Sequence, residues 1–194
     1  PENVSYKTGD HLLVMPRNHK ALVQRVAARF GFDLDQQIAV MRNNPGDDPL
    51  PVGEELSVGE LLSYYVELQD PMSLRILKRL IEFVGCPNRR AEAESLAEDP
   101  ERFDAEVAAP RRSLLQYLES APECELPFEL FLEFVAPMRP RYYSISSSAL
   151  VEPRSVDLTL SVLRANQSVN SDDTVFEGAC SRYLSDCEPG HRIT

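Results

Sequence analysis

The periodicity of this chain changes twice, and that constrains the fold more than any single motif. A short apolar run near the start reads as a strand, a run with the two-residue period of strands lies near the end, and the long stretch between them follows the helical period of about 3.6. Near the start, Leu12-Leu13-Val14-Met15 follows a Thr8-Gly9-Asp10 turn and is stopped by Pro16, which cannot continue a ladder. Near the end, Val156, Leu158, Leu160 and Val162 alternate with Asp157, Thr159 and Ser161, a half-buried strand pattern. Residues 142–146 and Thr174-Val175-Phe176 are two further strand candidates. Lone strands at the two ends could not make a stable sheet separately, so they belong to one β domain interrupted by a helical insertion.

Within the insertion, Asn18 is placed to cap a helix that carries Leu22, Val23, Val26 and Phe30 on one face and stops at Gly31. A polar, proline-rich loop follows over 43–53. Ser57-Val58-Gly59-Glu60 has capping-box spacing ahead of Leu61, Leu62, Tyr65 and Leu68. Asp70-Pro71 and Asp99-Pro100 each pair a good N-cap with proline at the first helical position. The helix after the first of these buries Leu74, Leu77, Leu80, Ile81 and Val84 and ends near Gly85; shorter helices cover 111–118 and 128–135. Beyond the strands, Gly178 opens a short helix through Tyr183 and Leu184.

Composition narrows the function classes. Lys+Arg number 20 against Asp+Glu 31, a net charge of −11 that repels phosphate backbones and anionic lipid, so neither nucleic acid nor a membrane surface is an expected partner. No apolar run approaches the ~20 residues of a membrane span. Cys86, Cys124, Cys180 and Cys187 are scattered without a CxxC, which reads as reduced thiols in a cytoplasmic protein. His11, His19 and His191 are isolated, so no metal site is expected, and no GxSxG or HExxH pattern supports hydrolysis. The acidic run from Glu92 through Glu106 reads as a solvated helix face. The first ten residues lack a secretory signal, and without a starting Met the chain is expected to be processed or cut from something longer.

Chemistry concentrates in Arg139-Pro140-Arg141-Tyr142-Tyr143-Ser144-Ile145-Ser146-Ser147-Ser148. Arg141 can clamp a phosphate with paired donors, Tyr143 offers a flat face to a planar ring, and Ser144 can hydrogen-bond a ring heteroatom. Gly178-Ala179-Cys180-Ser181 opens a helix with small residues whose backbone N–H groups can seat a pyrophosphate. Together the two stretches point to a flat-ringed, phosphate-bearing cofactor held between strand and helix.

Arg141-Tyr142-Tyr143-Ser144 followed by Ser146 resembles the RxYSxS signature of the ferredoxin-reductase-like FAD domain. Residues 6–16 (YKTGDHLLVMP), 61–71 (LLSYYVELQDP) and 139–148 (RPRYYSISSS) are similar to the diflavin reductases, above all to bacterial reductases fused to a fatty-acid-hydroxylating cytochrome P-450. The resemblance implies an α+β fold: an antiparallel, flattened Greek-key barrel (1–17 and 139–194) interrupted by an all-α connecting domain (18–138). It implies that Arg141 contacts the FAD pyrophosphate, that Tyr142 and Tyr143 belong to the flavin motif with Tyr143 stacking on the isoalloxazine, and that Ser144 sits near N5 with a direct part in hydride transfer. Gly178, Ala179, Cys180 and Ser181 match the segment around the pyrophosphate and ribityl chain. Thr159, Leu160 and Ser161 align with a strand on the flavin and adenine side, and Arg111 with an arginine reaching the cofactor from the insertion.

The parent reaction so implied is transfer of electrons from NADPH through FAD and FMN to a haem monooxygenase, with the FMN domain, the NADPH-binding domain and the haem partner outside this chain. The tyrosine that some relatives place near the adenine has no counterpart, since Ala165 stands there, and no two of the eight glycines are separated by one residue, so no dinucleotide fingerprint is present. Strict alternation would put Tyr143 and Ser144 on opposite faces unless the strand ends or twists. A non-catalytic acidic docking module with a vestigial flavin pocket, and the same domain of a sulfite-reductase-type flavoprotein, are the alternatives.

Overall fold

The computed structural model describes residues 5–41, 50–169 and 172–193, so the loop expected over 43–53 lies mostly outside the described residues. The chain opens with β1 (His11–Val14) and turns at once into α1 (Lys20–Phe30). Gly31 ends that helix in the left-handed conformation at φ 73°, as glycine is suited to do. The cap is His19 rather than Asn18: the His19 ring accepts from the Ala21 N–H. Asn18 is instead buried, its amide donating to Leu62 O at 2.7 Å and to Val66 O. A buried side-chain amide with two carbonyls in reach serves the fold better there than at an exposed cap.

Two short strands follow, β2 (Gln37–Ala39) and β3 (Glu55–Ser57), then α2 (Val58–Tyr64). The Ser57–Glu60 capping box forms as its spacing predicts, with Glu60 N donating to Ser57 Oγ at 3.1 Å and Ser57 N to Glu60 Oε2 at 2.8 Å. Next come β4 (Val66–Glu67) and α3 (Leu74–Leu80), which tightens into a 3-10 turn over Ile81–Phe83. The cap of α3 is Ser73, not Asp70. Pro71 forms a bridge with Ser113 and Met72 N donates to Arg112 O at 2.8 Å, so the chain stays extended past the proline before it can turn. α4 (Pro87–Glu98) and α5 (Pro100–Phe103) follow, the latter capped by Asp99 with Pro100 at its first position as predicted. A π-helical turn over Asp104–Ala108 leads to α6 (Leu114–Ser120) and α7 (Phe128–Phe134).

The main apolar core lies within this helical stretch: its buried members run from Val23 to Phe134. Phe30 sits 4.9 Å from Phe131 and Phe32 4.7 Å from Phe128, centroid to centroid, which locks α1 and its exit to α7. The stretch is not all helix, since β2 pairs with β3, and β4 with β5 (Ala136–Pro137). These pairings join residues distant in sequence, and two- and three-residue strands carry too few alternations to be read from pattern alone.

The last part holds β6 (Arg141–Ser144), β7 (Arg164–Val169), β8 (Asp172–Glu177) and α8 (Ala179–Ser185). β6 lies antiparallel to β1, with Leu12 opposite Tyr143 and Val14 opposite Arg141, so the two ends of the chain meet as expected. β7 and β8 form a hairpin. The strand predicted over 156–162 is only partly realised: Leu158 bridges to Ile145, and β7 begins later, at Arg164. Burial does alternate over 156–160, yet no continuous ladder forms there. Among the described residues the strands make four two-stranded antiparallel sheets and no closed barrel. The fold is a mixture of helices and strands, and no helix among the described residues is long and apolar enough to cross a membrane.

Candidate functional site

A cleft of about 470 Å³ opens where the end of β4, the turn at Arg111, β6, β8 and the start of α8 converge. β6 forms one wall. Its burial alternates, so Arg141 and Tyr143 are half-buried while Tyr142 and Ser144 are exposed. The Arg141 guanidinium donates through Nη2 to Glu67 Oε2 at 2.7 Å and through Nη1 to Arg139 O at 2.6 Å. Glu67 is 8% exposed, so β4 presents a buried anion that fixes one edge of the guanidinium and leaves its other N–H groups available.

Tyr143 faces the helix start. Burial first, and a hydrogen bond with the Cys180 thiol second, push its phenol up to about 12. Burial likewise raises the Cys180 thiol. The ring is therefore a neutral, flat surface throughout the physiological range. At Gly178 an added Cβ would lie 3.0 Å from Ser181 Oγ and 3.2 Å from Leu163 Cβ, a close approach that only glycine makes comfortably. Ser181 is committed to this turn: its Oγ accepts from Leu163 N at 3.1 Å and donates to Gly178 O at 3.1 Å. No side chain caps the start of α8.

The opposite wall comes from the helical stretch. Arg111 has φ 57° and its guanidinium lies over the Phe176 ring, 5.1 Å from the centroid. Two arginines from distant parts of the chain thus line one cleft with a phenol and a glycine turn, a set suited to an anionic ligand carrying a flat ring.

Nine of the twelve residues singled out by sequence line this cleft: Arg111, Arg141, Tyr142, Tyr143, Ser161, Gly178, Ala179, Cys180 and Ser181. Ser144, Thr159 and Leu160 lie outside its lining. Ser144 Oγ is 3.4 Å from His11 Nε2, and Thr159 Oγ1 is 3.4 Å from Ser146 Oγ. The alternation argument anticipates this placement of Ser144 opposite Tyr143. Glu67, Asp70 and Phe176 also line the cleft, and none of them was among the expected site residues. Glu67 carries a readable signal, a carboxylate between Val66 and Leu68 that must find a partner if buried. Phe176 carries none, since one aromatic in a strand is ordinary core.

The chain matches the FAD binding domain family over residues 1–183. It belongs to that family. This FAD-binding domain is 39% identical over 190 residues to bifunctional cytochrome P450/NADPH–P450 reductase 2 of Bacillus subtilis, a match that covers 98% of the chain and 18% of the relative. It is 35% identical over 185 residues to the bifunctional cytochrome P450/NADPH–P450 reductase of Bacillus cereus, covering 95% of the chain and 17% of that protein. A self-sufficient cytochrome P450 monooxygenase of Phanerodontia chrysosporium is 37% identical over 193 residues, covering 100% of the chain and 18% of the relative. The domain thus spans under a fifth of the length of these relatives.

Proposed function

We propose that this chain is the FAD-holding part of an NADPH-dependent diflavin reductase that delivers electrons, by way of FMN, to a haem monooxygenase of the cytochrome P450 type. The observation that carries the reading is the single cleft uniting Arg141, Arg111, Tyr143 and the Gly178 turn. The donor set fits the cofactor: two guanidinium groups answer a diphosphate, a neutral phenol answers a flat ring, and the Gly178 turn leaves backbone close to the cleft.

In this reading Arg141, steadied by Glu67, binds the diphosphate together with Arg111 and the first amides of α8. Tyr143 stacks against the isoalloxazine and excludes water from one face. Tyr142 flanks the motif, and Gly178, Ala179, Cys180 and Ser181 shape the ribityl side. Thr159, Leu160 and Ser161 are proposed for the flavin and adenine side and Ser144, exposed at the end of β6, for a hydrogen bond at N5; of these four, Ser161 lines the cleft and the others lie outside its lining. Bound flavin supplies hydride acceptance and single-electron release, while the protein positions it and sets its surroundings. The boundaries 1–17, 18–138 and 139–194 are proposed as barrel, helical connecting domain and barrel, supported by a core confined between Val23 and Phe134 and by the β1–β6 pairing. The sheets β1–β6 and β7–β8 are proposed as parts of a flattened Greek-key barrel. FMN and NADPH modules, a haem partner and a cytoplasmic setting belong to the same proposal; the relatives' names, which give NADPH and cytochrome P450, and the four free cysteines support it.

Full-length protein purified without added flavin is expected to release FAD on denaturation. Arg141→Ala and Tyr143→Ala should each lower the FAD released per protein, by about tenfold in affinity for the loss of one charged or stacking contact. Undiminished FAD in both variants would overturn the site.

A further inference from the structure

Two helical segments in the described chain end in the same hydrogen-bonded turn. After α1, Gly31 N donates to Ala28 O at 3.3 Å and Phe32 N to Ala27 O at 2.9 Å. After the π-helical turn, Arg111 N donates to Ala108 O at 3.0 Å and Arg112 N to Val107 O at 2.9 Å. The pivot of such a turn is left-handed, and glycine normally fills it because a Cβ crowds the backbone there. Gly31 obeys the rule, whereas at the second turn the pivot is Arg111, the one residue other than glycine with positive φ among the described residues. A strained pivot persists only where its surroundings hold it.

The holder is on the β7–β8 hairpin. Gln167 of β7 is 2% exposed, and its Nε2 donates to Arg111 O at 2.8 Å. Its Oε1 accepts from Gln116 Nε2 at 2.7 Å, and Gln116 Oε1 in turn accepts from Ser113 N at 2.9 Å, at the cap of α6. In the hairpin register Ala165 faces Phe176, so Gln167, two residues along from Ala165, shares a hairpin face with Phe176. That one face grips Arg111 twice, by its carbonyl through Gln167 and by its guanidinium over Phe176.

We propose that Gln167 is the positioning residue for Arg111: its amide holds the left-handed turn so that the guanidinium is delivered over Phe176 into the cleft, to the diphosphate of the cofactor. This rests on the FAD reading of the cleft. It also makes docking of the β7–β8 hairpin on the helical stretch a condition for completing the phosphate clamp.

The test is a double-mutant cycle on the FAD dissociation constant of deflavinated full-length protein, using Gln167→Met, which keeps volume but removes the amide, and Arg111→Ala. Each single variant should weaken FAD by about tenfold, and the double variant should match Arg111→Ala within about twofold. Both singles should also flatten the dependence of affinity on salt, which mere loosening of the fold would leave alone. Should Gln167→Met not fold, Gln116→Leu, which strips the partner orienting the Gln167 amide, should give the same coupled and salt-flattened loss. Additive losses, or a normal salt slope in the glutamine variants, overturn the proposal while Arg111→Ala still weakens binding. Wild-type affinity in Arg111→Ala overturns both the proposal and the role of Arg111 in the FAD reading.

Discussion

Arg111 shows how a single residue can be poor for the local fold and still be kept where it is. Its left-handed backbone, at φ 57°, is a conformation that glycine takes without cost, as Gly31 does at the end of α1. Arg111→Gly should therefore raise stability, by about 1 kcal/mol in urea unfolding, while weakening FAD binding. Loss of both stability and affinity would show that the guanidinium's packing on Phe176 outweighs the strain. Glu67 is a second residue of this kind, a buried carboxylate whose partner Arg141 lies across the cleft on another strand. Sequence reveals such residues unevenly. The motif 141–144 announces Arg141 and Tyr143, but nothing local to Gln167 or Phe176 says that they meet Arg111, because their partners lie on other elements.

Among the elements, those whose signals are local were legible in sequence: β1 stopped by Pro16, α1 stopped by Gly31, the Ser57 capping box, and α5 behind Asp99-Pro100. Elements that depend on tertiary partners were not. Asn18 gave up its cap to reach two carbonyls, Ser73 displaced Asp70 because Pro71 bridges to Ser113, and β7 is a polar strand defined by its partner β8. The expected 156–162 ladder failed for the converse reason, since its alternation is present and its partner along most of its length is not. The β8–α8 junction is where element geometry and site geometry coincide. Gly178→Ala should push Leu163 and Ser181 apart and tilt the start of α8, costing about 1 kcal/mol of stability together with FAD affinity. A thermal midpoint and FAD titration both at wild-type values would mean that the junction yields freely.

On the scale of the whole molecule, the candidate site stands where the helical stretch meets the strands that β1 and β6 bring together from opposite ends of the chain. Among the described residues, polar ties across that boundary include Glu67 to Arg141 and Gln167 to Arg111, each ending on an arginine of the cleft, and Gln116 to Gln167 beside the second. The acidic character of the chain lies elsewhere in part: Arg102 binds both Glu92 and Glu106, so that face is braced by its own cation. An overall charge of −11 thus coexists with a cleft offering two guanidinium groups. The most direct measurement of this account is a crystal structure of the full-length protein with FAD bound. The account predicts a diphosphate between Arg111 and Arg141 with the isoalloxazine flat against Tyr143; a flavin seated against other residues, with Tyr143 and both arginines bare, would contradict it.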